Sequence, residues 1–244
     1  MFAQLVPLVV GSVLSSSALA PGVRPSPRAA AAHATRGQPH AARLSARQVV
    51  RNVQQHYRAT KHIVAKFRQR YRNVAFSKTT QSDGRMYLKK PRKLRFDYYR
   101  KGNRKKSFVS NGKTLWLVEY DLKQLTKKDL RRNMLPIVVS FLTGQGDLTR
   151  DFVAKLDSSG SYGKSSDYVV RLVPRRPSSQ YKWLTLVVDA SDFRVKQSIV
   201  REPSGNRNRF EFFAPNTSKP IANTVFTVNP KAPEYRGFHV IDGN

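Results

Sequence analysis

Few residues in this 244-residue sequence have the type and spacing that catalysis or metal binding needs. The carboxylates are scattered and form no recognisable acid/base pair, and nucleotide-binding glycine motifs and the G-x-S-x-G of serine hydrolases are absent. The chain has no cysteine, which excludes disulfides and thiolate chemistry. The histidines show no metal-ligand spacing such as H-E-x-x-H; they are His33, His40, His56, His62 and His239. These residues predict no catalytic site, no metal site and no cofactor, and hence a protein that is not an enzyme.

The charge is the most unusual property of the composition. There are 45 lysines and arginines against 15 acidic residues, a formal net charge of +30. Such a chain is attracted to phospholipid headgroups, lipopolysaccharide or nucleic acid. Most of the basic residues occupy alternate strand positions or hairpin tips, while the aromatic residues fall on apolar faces, unlike an RNA-binding sheet. This pattern favours an anionic membrane surface over nucleic acid as a partner.

An amphipathic helix opens the predicted folded region. Ser45 and Gln48 have the spacing of a capping box, in which each side chain bonds the other residue's backbone N–H. Val49, Val50, Val53 and Tyr57 then recur at helical spacing. The pattern predicts a helix over residues 46–58 that lays one apolar stripe against the rest of the protein.

From about residue 62 the apolar period changes from helical to alternating. Phe67 and Tyr71 alternate with the basic residues Lys66, Arg68, Arg70 and Arg72, and Ile63 and Ala65 continue the apolar side, which is typical of a strand with one face buried. Similar segments, separated by turn sequences such as Asp83-Gly84 and Asn111-Gly112, predict about ten or eleven strands joined mainly by hairpins. An antiparallel sheet of this length curls into a barrel or half-barrel.

One segment breaks the β pattern. Residues 133–143 are apolar nearly all round, begin with Asn133 as a potential cap and precede Gly144. A short helix of this kind has to cover an apolar surface. Its predicted covering residues are Leu135, Pro136, Ile137, Val138, Val139, Phe141 and Leu142.

The N-terminal region predicts export. Residues 5–14 form an apolar run of signal-peptide length, too short to span a bilayer, and small residues follow it. Cleavage sites of the A-x-A form end at Ala20 and at Ala34. We therefore expect a signal peptide over residues 1–34, a disordered leader over 35–43 and a single folded domain over 44–242.

Several segments resemble the periplasmic outer-membrane lipoprotein carrier family, in the family's order. They are GRMYLKKPRKLRFDY from Gly84, FVSNGKTLWLV from Phe108, the apolar segment 135–142 and VRLVP from Val170. The resemblance covers roughly residues 44–240. It implies a mainly β fold: an incomplete, half-open antiparallel β-barrel of about eleven strands with an N-terminal helix and a short apolar lid helix. It further implies a monomeric periplasmic chaperone that receives lipoproteins from an inner-membrane ABC transporter and delivers them to an outer-membrane receptor.

The resemblance and the strand alternation together predict the site. The acyl chains of the cargo would occupy an apolar cavity lined by Phe67, Met86, Leu88, Leu94, Phe96, Tyr98 and Trp116. The family has an arginine before the proline of its basic-Pro step, and this arginine holds the lid closed. Lys90 stands at that position here and is the predicted latch, with carbonyls near Thr143 and Gly144 as its partners. The alternative is a basic β-barrel module of the cell envelope that binds lipopolysaccharide or another anionic polymer on its exterior.

Overall fold

The structure is a computed structural model that describes residues 43–130, 141–142 and 146–243. The predicted signal peptide, and the leader as far as residue 42, lie outside the described residues. Residues 44–244 cluster as one compact unit. Within the described residues, no helix combines the length and the apolar character that crossing a bilayer requires.

The first element is helix α1, Ala46–Ala59, where the sequence predicts it. The Ser45 backbone N–H donates to Gln48 Oε1 at 2.9 Å, and the Gln48 N–H donates to Ser45 Oγ at 3.4 Å, which completes the capping box. The helix buries Val49, Val50, Val53 and Tyr57. These residues form the apolar stripe that the spacing indicates.

In the described part of the chain, twelve strands follow α1 and form one sheet. In chain order they are β1 His62–Asn73, β2 Lys78–Lys89, β3 Lys93–Arg100, β4 Asn103–Asn111, β5 Thr114–Glu119, β6 Gln124–Asp129, β7 Phe152–Leu156, β8 Asp167–Pro174, β9 Trp183–Asp189, β10 Val195–Arg201, β11 Arg207–Asn216 and β12 His239–Asp242. A short helix, α2 Leu148–Asp151, precedes β7, and two 3₁₀ turns, Asn223–Phe226 and Pro233–Tyr235, precede β12.

The sheet is open and does not close into a barrel. Its strand order is β12-β6-β5-β4-β3-β2-β1-β11-β10-β9-β8-β7, so β12 and β7 are the edges and β1 meets β11 in the middle. This confirms the mainly β fold with an incomplete barrel, an N-terminal helix and a short helix. Two details differ from the prediction: there are twelve strands, and β12 pairs with β6 in parallel.

Two apolar clusters define the two faces of the sheet. The larger lies on what we call the inner face, where side chains from β1–β3, β5 and β8–β10 pack with α1. The smaller lies on the opposite, outer face, where Val118, Leu125 and Tyr235 pack together. We call residues 221–242 the C-terminal segment. This segment includes Tyr235 and ends with β12. The sheet therefore has an apolar surface on each side, with a different cover over each.

Candidate functional site

Six aromatic side chains from four strands meet at the inner face. The Phe67 ring lies 5.5 Å from that of Phe96, 5.0 Å from that of Tyr98 and 5.6 Å from that of Phe210, measured between centroids. Tyr98 also contacts Phe108, and Phe210 stacks on Phe212. Most of these pairs are tilted or edge-to-face, the arrangements that aromatic rings prefer. We call this set the aromatic cluster.

A glycine makes room for the centre of the aromatic cluster. Gly84 on β2 pairs with Phe67 on β1. A Cβ atom at Gly84 would collide with the Phe67 ring and with the backbone carbonyl of Asp97. The absence of a side chain therefore lets the Phe67 ring lie over the neighbouring strand, close to Tyr98.

Most of the side chains predicted to line the cavity do lie together on the inner face. Phe67, Met86, Leu88, Leu94 and Phe96 are all buried in the larger cluster, and Tyr98 is half-buried against it. Burial raises the pKa of the Tyr98 phenol above its ordinary value, so this hydroxyl stays protonated. In this state the inner face is packed, and the predicted lining residues contact protein side chains.

Trp116 does not lie on this face, and its prediction as a cavity residue is wrong. It packs against the outer cluster of Val118, Leu125 and Tyr235. Its neighbour Leu115 joins the inner cluster instead. Because side chains alternate along a strand, a shift of one residue moves a side chain to the opposite face. Both faces of β5 are covered, so its sequence Leu-Trp-Leu-Val lacks the polar positions that would reveal the alternation.

The apolar surface of the inner face is covered by α1, which lies against β7, β8 and α2, and by residues 141–142, which are helical. Phe141 and Leu142 are buried, and the Phe141 ring meets the Tyr57 ring edge-on at 5.5 Å. The other predicted lid residues lie outside the described part of the chain; they are Leu135, Pro136, Ile137, Val138 and Val139. The described cover therefore consists of α1 together with the last two predicted lid residues.

A cleft of about 140 Å³ opens beside this cover. Its apolar wall includes Met86, Leu142 and Phe212, and its polar wall includes Asp192 and Lys196. An apolar cavity of about 150 Å³ holds roughly one benzene ring. The cleft therefore has room for only the first part of an acyl chain, and a whole chain has to displace side chains or the cover.

Polar contacts attach α1 to β10 and to the start of α2 at a few points. The Tyr57 hydroxyl accepts a hydrogen bond from the Val195 backbone N–H at 3.0 Å. Burial raises the pKa of this phenol, so Tyr57 remains neutral. Gln54 accepts from the Leu148 N–H at 3.0 Å and donates to the Gly146 carbonyl at 3.3 Å. These contacts hold the middle and the end of the helix.

Lys90 also contacts α1 through hydrogen bonds. Its Nζ donates to the backbone carbonyls of Tyr57 and Arg58, the latter at 2.9 Å. These carbonyls belong to the last turn of α1, where the helix dipole favours a cation. Partial burial lowers the pKa of Lys90 from its ordinary value. The partners predicted for Lys90, near Thr143 and Gly144, lie outside the described residues.

Lys106 is a cation on the inner face that the sequence did not single out. Its Nζ lies 4.9 Å from the centre of the Tyr98 ring and 5.3 Å from that of Phe108, which are cation–π distances. Burial lowers its pKa, against a smaller raising effect of Glu119. Lys106 pairs with Tyr98 in the same register that pairs Phe108 with Phe96, so alternation from Phe108 places it on the inner face. The basic run 104–106 gives no sign of which of its members turns inward.

The chemistry of the site is that of binding. Among the described residues, no group of three or more histidine and acidic side chains has the geometry of a metal site. The inner face offers aromatic and aliphatic surface, two half-buried lysines and a cover that closes over them. This arrangement suits an apolar ligand.

Comparison with known proteins agrees with this chemistry. The profile of the family described as outer membrane lipoprotein carrier protein LolA matches residues 58–229. The outer-membrane lipoprotein carrier protein of Coxiella burnetii (strain CbuK_Q154) is 27% identical over 163 residues, 66% of this chain and 71% of the relative. That of Neisseria gonorrhoeae is 24% identical over 156 residues, 63% of this chain and 70% of the relative.

A solved structure shares the fold. The crystal structure of an uncharacterized conserved protein from Thermus thermophilus superimposes with a TM-score of 0.50. It has 11% sequence identity and covers 81% of this chain and 98% of the other. Since the family profile spans well over half of the sequence, the chain belongs to the outer membrane lipoprotein carrier family LolA.

Proposed function

We propose that this protein is a non-enzymatic carrier that binds the acyl chains of lipoproteins against the inner face of its sheet. The observation that carries the proposal is the aromatic cluster on an inner face whose apolar core also packs against α1, a helix that is attached by a few polar contacts. Family membership supports it, because relatives of the chain are named lipoprotein carriers. The proposed lining comprises Phe67, Met86, Leu88, Leu94, Phe96 and Tyr98, with Phe210 and Phe212 added from the geometry.

The energetics favour such a site. Removing each acyl CH₂ group from water is worth about 0.8 kcal/mol, so one long chain is worth about 10 kcal/mol. A carrier has to offset most of this cost and still release its cargo. A cover that packs on the same apolar surface competes with the ligand and lowers the net affinity. The contacts of α1 and Phe141 with the inner face supply this competition.

Lys90 is the proposed latch of the closed state. By donating to the last carbonyls of α1, it favours the position in which the helix covers the inner face. The sequence-based proposal placed the latch on the lid helix; the contacts support α1 as the element that Lys90 holds. Acyl chains enter once α1 and the segment of Phe141 and Leu142 move aside.

The proposed setting is the periplasm. The carrier takes lipoproteins from an inner-membrane ABC transporter, crosses the periplasm as a monomer without a cofactor, and delivers them to an outer-membrane receptor. The apolar segment at residues 5–14 supports export. Binding in the interior also explains how the cargo crosses an aqueous compartment with its acyl chains protected.

Two neighbouring phenylalanines provide a matched test. Phe212 lines the cleft on the inner face, and Phe213 is exposed on the outer face beside Lys66. A carboxylate at position 212 would face apolar surface, which strongly disfavours an unpaired charge. Phe212→Glu should lower affinity for a fluorescent long-chain fatty acid by at least about tenfold. Phe213→Glu should bind the probe like the wild type.

Equal loss of binding in both variants would contradict an inner-face site. A second measurement uses spheroplasts: added wild-type protein should bring newly made lipoproteins into the soluble fraction, and Phe212→Glu should not. High salt should leave acyl binding unchanged, because apolar burial is not screened. Loss of the probe at high ionic strength would instead favour the exterior anionic-polymer module.

A further inference from the structure

The turn between β1 and β2 presents apolar side chains to solvent. Val74 is 46% exposed and Phe76 is 74% exposed, the highest value for a large hydrophobic side chain in the described part of the protein. These two residues lie between the strand ends Asn73 and Lys78. We call residues 74–77 the hairpin tip.

Hydrogen bonds fix the hairpin tip in this form. The Phe76 N–H donates to Asn73 Oδ1 at 3.2 Å, and the Ser77 N–H donates to the Val74 carbonyl at 3.1 Å. The Val74 N–H donates to Asn206 Oδ1 on the adjacent β10–β11 turn at 2.9 Å. Because the backbone is held from two sides, Phe76 is displayed in an ordered turn and does not fold back on the sheet.

A row of arginines lies next to the hairpin tip. Arg72 on β1 pairs with Arg207 on β11, and Arg207 pairs with Arg201 on β10. Like charges directly opposite each other destabilise a sheet. No carboxylate among the described residues forms an ion pair with these three side chains, and Glu202 nearby accepts hydrogen bonds from Tyr71 and Asn206. We call these three residues the arginine row.

We propose that the hairpin tip and the arginine row dock the protein on the surface of an anionic phospholipid bilayer. Phe76 and Val74 enter the interfacial region, and the arginine row meets the lipid phosphates. An amphipathic surface that combines apolar side chains with cations binds anionic interfaces in this way. The net charge of +30 adds a long-range attraction toward the same surface.

The shape of the hairpin tip favours a bilayer over a protein or nucleic acid partner. A single projecting ring needs a preformed pocket on a protein, whereas a bilayer accepts it without a complementary surface. Nucleic acid would bind the arginine row through its phosphates but would offer Val74 no apolar contact. Membrane docking does not depend on acyl binding at the inner face, so each proposal can fail without the other.

Vesicle co-sedimentation of the purified protein, without cargo, tests the proposal. The vesicles contain phosphatidylcholine alone or equal parts of phosphatidylcholine and phosphatidylglycerol. Phe76→Ser should weaken binding to the anionic vesicles by about tenfold. Leu122→Ser is the matched control: Leu122 is 64% exposed on the β5–β6 turn, where Asp121 pairs with Lys105. This control should bind like the wild type.

Charge is tested separately. Arg72→Gln and Arg207→Gln should each weaken binding to anionic vesicles by about fivefold, and pure phosphatidylcholine should bind the wild type much less. Binding by Phe76→Ser equal to that of wild type would overturn the proposal. If that variant also transferred lipoproteins more slowly, the hairpin tip would be a contact for a protein partner instead. Circular dichroism confirms that each variant is folded.

Discussion

The two faces of the sheet carry apolar clusters that differ in how they are covered. On the outer face, the C-terminal segment crosses the cluster of Val118, Leu125 and Tyr235 and continues into β12. Backbone pairing of β12 with β6 therefore fixes this cover to the sheet. On the inner face, α1 packs into the larger cluster, against β7 and β8, and makes no backbone ladder with the sheet. The C-terminal segment cannot leave the outer face without breaking strand pairing, whereas no strand pairing holds α1 on the inner face.

The polar anchors show the same difference. Lys89 Nζ donates to the Ile221 carbonyl at 2.6 Å, and Arg95 donates to the Val225 carbonyl at 3.3 Å. Side-chain contacts therefore hold the beginning of the C-terminal segment, and the pairing of β12 holds its end. Contacts of Lys90, Tyr57 and Gln54 attach α1 mainly along its second half. Burial of apolar side chains is therefore not enough to distinguish a core from a binding site. The way in which the covering segment is attached to the sheet distinguishes the two.

The largest effect is expected where the outer face buries a charge. Asp97 is 1% exposed, pairs with Arg95 at 2.9 Å and accepts from the Ser107 hydroxyl. Asp97→Ala should leave an uncompensated cation and lower the free energy of unfolding by about 4 kcal/mol. Asp83→Ala removes the more exposed partner of Arg68 and should cost under about 1 kcal/mol. Urea denaturation measures the free energy of unfolding of both variants. Similar decreases in the two variants would show that the surroundings of Asp97 on the outer face are not a stabilising core.

The next largest effect concerns the cover of the outer face. Tyr235 is buried, and its ring contacts that of Phe238 at 5.5 Å. Tyr235→Ala should lower the free energy of unfolding by about 3 kcal/mol, because it leaves a cavity under the C-terminal segment. Binding of a fluorescent fatty acid to the folded variant should be unchanged. A large loss of acyl affinity would show that the two faces do not act separately.

A smaller effect is expected at the latch of the inner face. Lys90→Leu removes the hydrogen bonds to the end of α1, so the closed state should compete less with cargo. Fatty-acid affinity should rise by about tenfold, and transfer of lipoproteins to an acceptor should slow. Lys90→Arg should restore wild-type affinity and transfer. If Lys90→Leu transfers cargo at the wild-type rate, Lys90 is not a latch.

These predictions rest partly on features that the sequence reveals. The capping box of Ser45 and Gln48 predicts α1, and the alternation of Phe67 and Tyr71 with basic residues predicts β1 and its inward side. The alternation is readable because one face of β1 meets water. The contact of Lys90 with α1 joins two segments that are more than thirty residues apart in the sequence. No local sequence pattern therefore predicts this contact.

Other features could not be predicted from local patterns. Trp116 was assigned to the wrong face because both sides of β5 are covered. The structure of the C-terminal segment was not predicted, because its 3₁₀ turns are too short to show a sequence period. Its last element, β12, is a short, exposed strand that pairs in parallel with β6, which is distant in sequence. The inward side of Lys106 is hidden in the sequence because Phe108 and Val109 are both apolar, so the alternation of β4 cannot be read. Each of these depends on tertiary pairing.

The smallest predicted effect is on acid stability near the cover. Asp147 caps α2, and a hydrogen bond from Thr149 lowers the pKa of its carboxyl. Because the folded pKa lies below the unfolded value of about 3.9, the stability it provides is present above that pH and is lost as the pH falls through the folded pKa. Asp147→Asn keeps a capping side chain and should remove this part of the pH dependence in urea titrations. An unchanged acid dependence would contradict the role of Asp147.

Tryptophan fluorescence shows whether acyl chains bind on the inner face. Neither native tryptophan lies there: Trp116 packs with the outer cluster, and Trp183 lies between Arg171 and Arg201 on the outer face. A brominated long-chain fatty acid quenches a tryptophan that it contacts. The fatty acid should leave wild-type emission nearly unchanged and should quench the emission of the tryptophan introduced by Phe212→Trp. Quenching of the wild type to the same extent as the variant would place the acyl chain elsewhere and contradict the account.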